Sequence, residues 1–170
     1  MKNIVLIGFK QCGKSTVGSL LAKRLKKTFI DTDCFVEDIY LQTYLEKKSS
    51  FAIYRDHGEK WFRKLEQEAI AHLKEKKETV IATGGGSLLI RENARLLKKN
   101  GFFVFLDAPK ILLKKRVNVC SSFVNEENFD LLFEERRKLY LEWADVCIAT
   151  KKKTKEEIVQ EMIERLYGKQ

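Results

Sequence analysis

The residues with the clearest chemical potential lie near the start of the chain, in the run Gly8-Phe9-Lys10-Gln11-Cys12-Gly13-Lys14-Ser15-Thr16. Two glycines five positions apart, followed by lysine and serine, match the phosphate-loop spacing G-x-x-x-x-G-K-[ST], and the apolar run Ile4-Val5-Leu6-Ile7 stands directly before them. In such a loop successive backbone amides converge on phosphate oxygens, and the positive end of the following helix adds to the attraction. This spacing gives Lys10, Gln11, Cys12, Gly13, Lys14, Ser15 and Thr16 to ATP. Lys14 is expected against the β- and γ-phosphates, and the Ser15 hydroxyl on a magnesium ion that bridges phosphate oxygens. A dinucleotide-binding turn is disfavoured, because G-x-G-x-x-G is missing at this position. Cys12 lies where the helix dipole and Lys14 could lower a thiol pKa, although a small residue filling space is the plainer reading.

Two more groups follow apolar runs. Asp31-Thr32-Asp33 sets two carboxylates at alternate positions, one suited to hold a magnesium-bound water and the other to orient an attacking hydroxyl and take its proton. The competing reading is that Asp33 only caps the helix that contains Phe35, Val36 and Ile39. Thr83-Gly84-Gly85-Gly86 allows backbone to approach a ligand where a side chain would collide, or makes a flexible turn. The cysteines at 12, 34, 120 and 147 form no Cys-x-x-Cys pair, so a zinc site is not expected. His57 and His72 receive no catalytic role, being more often structural or exposed in such settings.

These groups need elements to hold them. Short apolar runs rich in β-branched and aromatic residues recur at Ile4–Ile7, Thr28–Ile30, Thr79–Ile81, Phe102–Leu106 and Val146–Ile148, and read as buried strands. Between them, apolar residues fall at helical spacing, as in Val17, Leu20, Leu21 and Leu25, or Leu65, Ala69, Ile70 and Leu73. The alternation predicts an α/β fold, a parallel sheet covered by helices on both faces with ligands beyond the carboxyl ends of its strands. A chain of 170 residues with a single proline and no low-complexity tract fits one domain, residues 1–170. The net charge of +9 suits anionic small molecules as well as nucleic acid, but most lysines stand among glutamates on solvated faces and no nucleic-acid recognition motif is present. The first apolar run is too short for a membrane span and has no cleavage site, so a cytoplasmic protein with no membrane or nucleic-acid partner is expected.

Taken together, the motifs resemble those of the shikimate kinase family over essentially the whole length. The resemblance is carried by the phosphate loop, Asp31-Thr32-Asp33, Gly58-Glu59-Lys60-Trp61-Phe62-Arg63-Lys64-Leu65-Glu66, Gly84-Gly85-Gly86, and Arg136 four residues before Tyr140. It implies the P-loop kinase fold, with a five-stranded parallel sheet in the order 2-3-1-4-5, an acceptor-binding helical region at about 33–63 and a lid at about 117–128. It further implies that Asp33 binds shikimate hydroxyls and acts as base, and that Asp31 supports magnesium through water. Arg63 and Arg136 would clamp the shikimate carboxylate, Gly84, Gly85 and Gly86 would meet the ring through backbone, and Arg116 would pack on adenine. A bidentate guanidinium matches a planar carboxylate, although read without the family both arginines would be surface ion-pair residues, and Arg137 is an alternative to Arg136. The substrates implied are ATP and shikimate, and a monomer is expected. The sequence departs from the family at Gln11, where glycine is usual, and in the lid, where an Arg-Pro pair is usual and residues 117–128 contain neither arginine nor proline. Lys10, where the family commonly carries methionine, and Arg116 are the cations available as substitutes. A kinase for another hydroxy acid such as gluconate and a nucleotide-binding regulatory protein are the rival readings.

Overall fold

The computed structural model describes residues 2–119 and 128–168, with 118 and 119 described by backbone alone. Five parallel strands, β1 (Asn3–Ile7), β2 (Thr28–Asp31), β3 (Thr79–Ala82), β4 (Gly101–Asp107) and β5 (Val146–Ala149), form one sheet in the order β2-β3-β1-β4-β5. All five residues of β1 and all four of β3 are buried, which requires cover on both faces of the sheet and explains their unbroken apolar runs. The eight α-helices are α1 (Lys14–Leu25), α2 (Thr32–Tyr44), α3 (Ser50–His57), α4 (Glu59–His72), α5 (Arg91–Asn100), α6 (Lys110–Val119), α7 (Phe129–Trp143) and α8 (Lys155–Tyr167) among the described residues. The strand order and the flanking helices are those expected.

Register sets where the chemistry collects. Asp31 pairs with Ala82, Leu6 with Ala82, and Ile7 with Phe105, so the carboxyl ends of β2, β3 and β1 open onto one edge. The phosphate loop, Asp31-Thr32-Asp33 and Thr83-Gly84-Gly85-Gly86 all leave the sheet there. The order steps from β1 to β3 on one side and to β4 on the other, the switch point at which doubly wound folds gather ligands.

Two apolar cores hold this edge. The larger packs Leu6, Ile7, Leu21, Ile81, Phe103 and Leu106 with Phe129 and Tyr140 of α7. The smaller joins α2, α3 and α4 through Val36, Tyr40, Ile53, Phe62, Leu65 and Ala69. His57 belongs to the rim of this second core, stacked on Trp61 at 4.2 Å with Nε2 2.9 Å from the Tyr40 hydroxyl, which accounts for it structurally. Of the expected lid, residues 117–119 are the last turn of α6, while 120–127 lie outside the described residues.

Candidate active site

The phosphate loop is built by two glycine conformations and one strained residue. Gly8 (φ 148°) turns the chain off β1, and Gly13 (φ 99°) starts α1 as its N-cap without any side-chain hydrogen bond to the first-turn amides. Gln11, between them, is in the left-handed region at φ 65°, where a side chain costs about 1–2 kcal/mol. The departure from glycine at this position therefore has a backbone cost that spacing alone does not reveal. Lys14 is buried, its Nζ donating to the carbonyls of Gly8 at 2.9 Å and Phe9 at 2.8 Å, with Cys12 Sγ at 3.7 Å. Cys12 is itself buried and packs under Gly8, as a space-filling residue would. Ser15 and Thr16 are exposed at the start of α1 on the cavity side of the loop.

Asp31, not Asp33, caps α2. Its Oδ1 accepts from the Asp33 backbone N–H at 3.0 Å, and its Oδ2 accepts a short hydrogen bond from the Ser15 hydroxyl. Asp33, in the first turn, is left to face the cavity. Desolvation pushes its carboxyl up to about 6; the neighbouring charges of Asp31 and Glu66 add to the rise, while Lys14 and Lys10 oppose it. A hydroxyl and a carboxylate in contact offer two hard oxygens, a set that suits magnesium in phosphoryl-transfer sites, where phosphates and waters complete the shell. Among the described residues no group of three or more His, Cys, Asp or Glu side chains could hold a metal alone.

Next to this cavity lies a second chamber, lined by Lys10, Asp33, Phe62, Arg63, Glu66, Gly84–Gly86 and Arg136. Arg63 reaches it from α4 and Arg136 from α7. Arg63 is oriented by Glu66, a carboxylate only 1% exposed, through Nη1 to Oε2 at 2.8 Å. Glu66 also accepts from the Ser87 hydroxyl at 2.6 Å, so its charge is shared between two donors. Arg136 is buried over the Phe9 ring, 5.5 Å from its centroid, and its Nε has no hydrogen-bond partner among the described residues. A buried guanidinium N–H without an acceptor is costly unless an anion joins it. Arg137, the alternative, is committed elsewhere in a two-point pair with Asp107 at 2.7 and 3.3 Å.

The three glycines form the floor between the two arginines. A Cβ on Gly84 would stand 2.5 Å from Asp33 Oδ1, one on Gly86 would run into the Arg63 guanidinium, and one on Gly85 would lie 3.0 Å from the Lys10 backbone nitrogen. The loop is pinned by Gly84 N–H donating to Thr32 Oγ1 at 2.8 Å and by the Tyr140 hydroxyl donating to the Gly85 carbonyl at 2.5 Å. This close fit decides against a merely flexible turn.

At the other end of the loop, a cavity of about 420 Å³ lies between Gln11, Gly13, Thr16, Arg116 and the turn Thr150–Lys153. Exposed Arg116, on α6, donates from Nη1 to the Gln11 carbonyl at 2.9 Å. Thus every candidate residue lies along one groove that runs from Arg116 through the phosphate loop to Arg136. Sequence reasoning assigned no role to Glu66, Thr32, Phe9 or Tyr140. Glu66 left a signal in its i, i+3 spacing from Arg63 on a helix, and Thr32 and Tyr140 stand within the motifs that carry the resemblance.

A family model described as shikimate kinase matches residues 10–167 of the chain. A shikimate kinase from Persephonella marina is 37% identical over 98% of this chain and 99% of its own length. One from Caldanaerobacter subterraneus is 40% identical over 99% and 98%. Among solved structures, shikimate kinase from Aquifex aeolicus superposes with a TM-score of 0.82 at 35% identity, covering 98% of this chain and 99% of that one. Shikimate kinase from Acinetobacter baumannii, solved in complex with shikimate, gives 0.83 at 29% identity and covers 98% and 93%. Given this agreement over its full length, the chain belongs to the shikimate kinase family.

Proposed function

We propose that this protein transfers the γ-phosphoryl group of ATP to the 3-hydroxyl of shikimate, acting as a single-domain monomer in the cytoplasm. The observation that carries this reading is the convergence of Asp33, Arg63 and Arg136 on one chamber that opens into the phosphate-loop cavity. Two guanidiniums on separate helices suit a planar carboxylate, and the carboxylate in turn satisfies the buried Arg136 Nε. With the acid group held there, a ring hydroxyl falls beside Asp33, within the same chamber.

Asp33 takes the hydroxyl proton as the oxygen attacks the γ-phosphorus; the new O–P bond forms while the bond to the β–γ bridging oxygen breaks and ADP leaves. Its elevated pKa suits this work, since a base near neutrality combines a usable deprotonated fraction with proton affinity. Ser15, and Asp31 through water, would hold magnesium, which neutralises charge on the phosphates when bound. Lys14 and the loop amides bind the β- and γ-phosphates, and Arg116 with the Thr150–Lys153 turn borders the base. Gly84–Gly86 let the ring approach backbone, and Glu66 fixes the Arg63 fork.

For a monomer, sedimentation should give a single species near 19.9 kDa. The thiols of Cys12, Cys34 and Cys147 are free, in keeping with a reducing compartment, and no helix among the described residues is long and apolar enough to cross a membrane. The deciding measurement is ADP release from ATP and magnesium with and without shikimate. Shikimate-dependent release is expected; release with gluconate alone, or nucleotide binding without release, would overturn the assignment.

A further inference from the structure

The phosphate loop carries two lysines, and they are placed for different work. Lys14 is buried with its ammonium on the carbonyls of Gly8 and Phe9. Lys10 is half-buried and lines both chambers, the one with Lys14, Ser15 and Asp31 and the one with Arg63 and Arg136. Among the described residues only Lys10, Asp33 and Gly85 border both. Gly85 offers backbone and Asp33 an acid, so Lys10 is the cation at the junction. A group moving between the chambers passes between Lys10 and Asp33.

Three observations fix Lys10 in this position. Its backbone packs on Gly85, where a Cβ would stand 3.0 Å from the Lys10 nitrogen and 3.4 Å from its Cα. Gly85 is tied to α7 through Tyr140, so this contact has a rigid floor. The Lys10 Cβ is turned toward the same floor, 3.3 Å from where a Gly85 Cβ would stand. Meanwhile residues 117–128, from the last turn of α6 to the start of α7, contain no lysine or arginine in sequence, and Arg116 is drawn to the Gln11 carbonyl at the far end of the groove.

We propose that Lys10 is a phosphate-directed catalytic cation whose ammonium binds the γ-phosphoryl oxygens of ATP and follows them as the group passes to the acceptor hydroxyl. The inference rests on the kinase reading above and deepens it. In transfer the acceptor oxygen gains the bond to phosphorus, the bridging oxygen keeps the electron pair of the broken bond, and Asp33 receives the proton. Negative charge is then spread over three equatorial oxygens between the two chambers. An ammonium with three donors can hold two of those oxygens at once and needs no rearrangement as the phosphorus moves.

The test compares the parent with Lys10→Met, which keeps length and removes charge, and Lys10→Arg, which keeps charge. Shikimate-dependent ADP release is measured alongside binding of ADP and of a non-transferable ATP analogue. The expected result for Lys10→Met is a kcat at least tenfold lower, with KM for shikimate within about threefold of the parent. Its affinity for the ATP analogue should fall at least fivefold while that for ADP stays within about twofold, and Lys10→Arg should lie nearer the parent. A kcat loss under tenfold, or equal weakening of ADP and analogue, overturns the proposal. Should Lys10→Met not fold, Lys10→Gln serves the same comparison. A parent without shikimate-dependent release would instead refute the acceptor assignment, so the two failures are distinct.

Discussion

At the scale of single residues, the site is a balance of buried charges. Asp33 has its carboxyl pushed up to about 6, chiefly by desolvation. As a base it works only when deprotonated, so kcat/KM for shikimate should fall as pH drops through about 6, approaching tenfold per unit below that value; a flat profile down to pH 5 would exclude Asp33 as base. The same shift has a price in stability. Because the folded-state pKa exceeds the unfolded value of 3.8, the cost of the charge is absent below pH 4 and complete above about pH 6. Asp33→Asn should therefore abolish transfer by about 10²–10⁴-fold yet raise the melting temperature at neutral pH by a few degrees, of order 1–2 kcal/mol, and by less near pH 4. The arginines answer to a different measurement. Arg63→Ala and Arg136→Ala should each raise KM for shikimate about 10–100-fold, equivalent to about 1.4–2.7 kcal/mol, and leave KM for ATP near the parent value.

At the scale of elements, the glycine loop after β3 and the phosphate loop after β1 bring backbone to the walls of both cavities. Gly84→Ala would drive a methyl group against Asp33 and Ser87, the latter 3.0 Å away. About 1–3 kcal/mol of stability should be lost in chemical denaturation, together with most of kcat, because the methyl group displaces the Asp33 carboxylate from its place in the cavity. Gln11→Gly works in reverse. With φ 65° at this residue, glycine removes backbone strain and should raise the melting temperature by about 2–4 °C, offset in part by the entropy glycine adds to the unfolded chain. The strands that carry these loops could be read directly, since the runs at 4–7, 28–30, 79–81, 102–106 and 146–148 agree with β1–β5 to within one residue at each end. Their apolar character is dictated by burial on both faces, a local and unambiguous demand. The helix caps were less legible. Both Asp31 and Asp33 are good caps by type, and only the turn of the chain after β2 gives that task to Asp31 and frees its neighbour.

On the scale of the whole molecule, ligand binding and folding are one equilibrium. Shikimate at a hundred times its dissociation constant should stabilise the protein by about 2.7 kcal/mol and raise the melting temperature by roughly 5–10 °C. Arg136→Ala should remove most of that increment, and an unchanged increment would mean that the acid binds elsewhere. Sequence by itself determined the parallel α/β architecture, the phosphate loop and the set of residues from which an acceptor site could be drawn, because strand burial and the loop's glycine spacing are properties of contiguous segments. It also supplied a resemblance that the family match then bore out. What only the tertiary structure decided is which charged residues meet. Arg136 and Arg137 are neighbours on one helix and alike in chemistry, yet α7 turns the first toward Phe9 and the chamber it shares with Arg63 and Asp33, and the second toward Asp107. Glu66, Thr32 and Tyr140 gained their supporting roles in the same way, through contacts 21, 52 and 55 residues apart in the chain. Such pairings depend on how helices are rotated against a sheet, a long-range consequence of packing that local sequence does not encode.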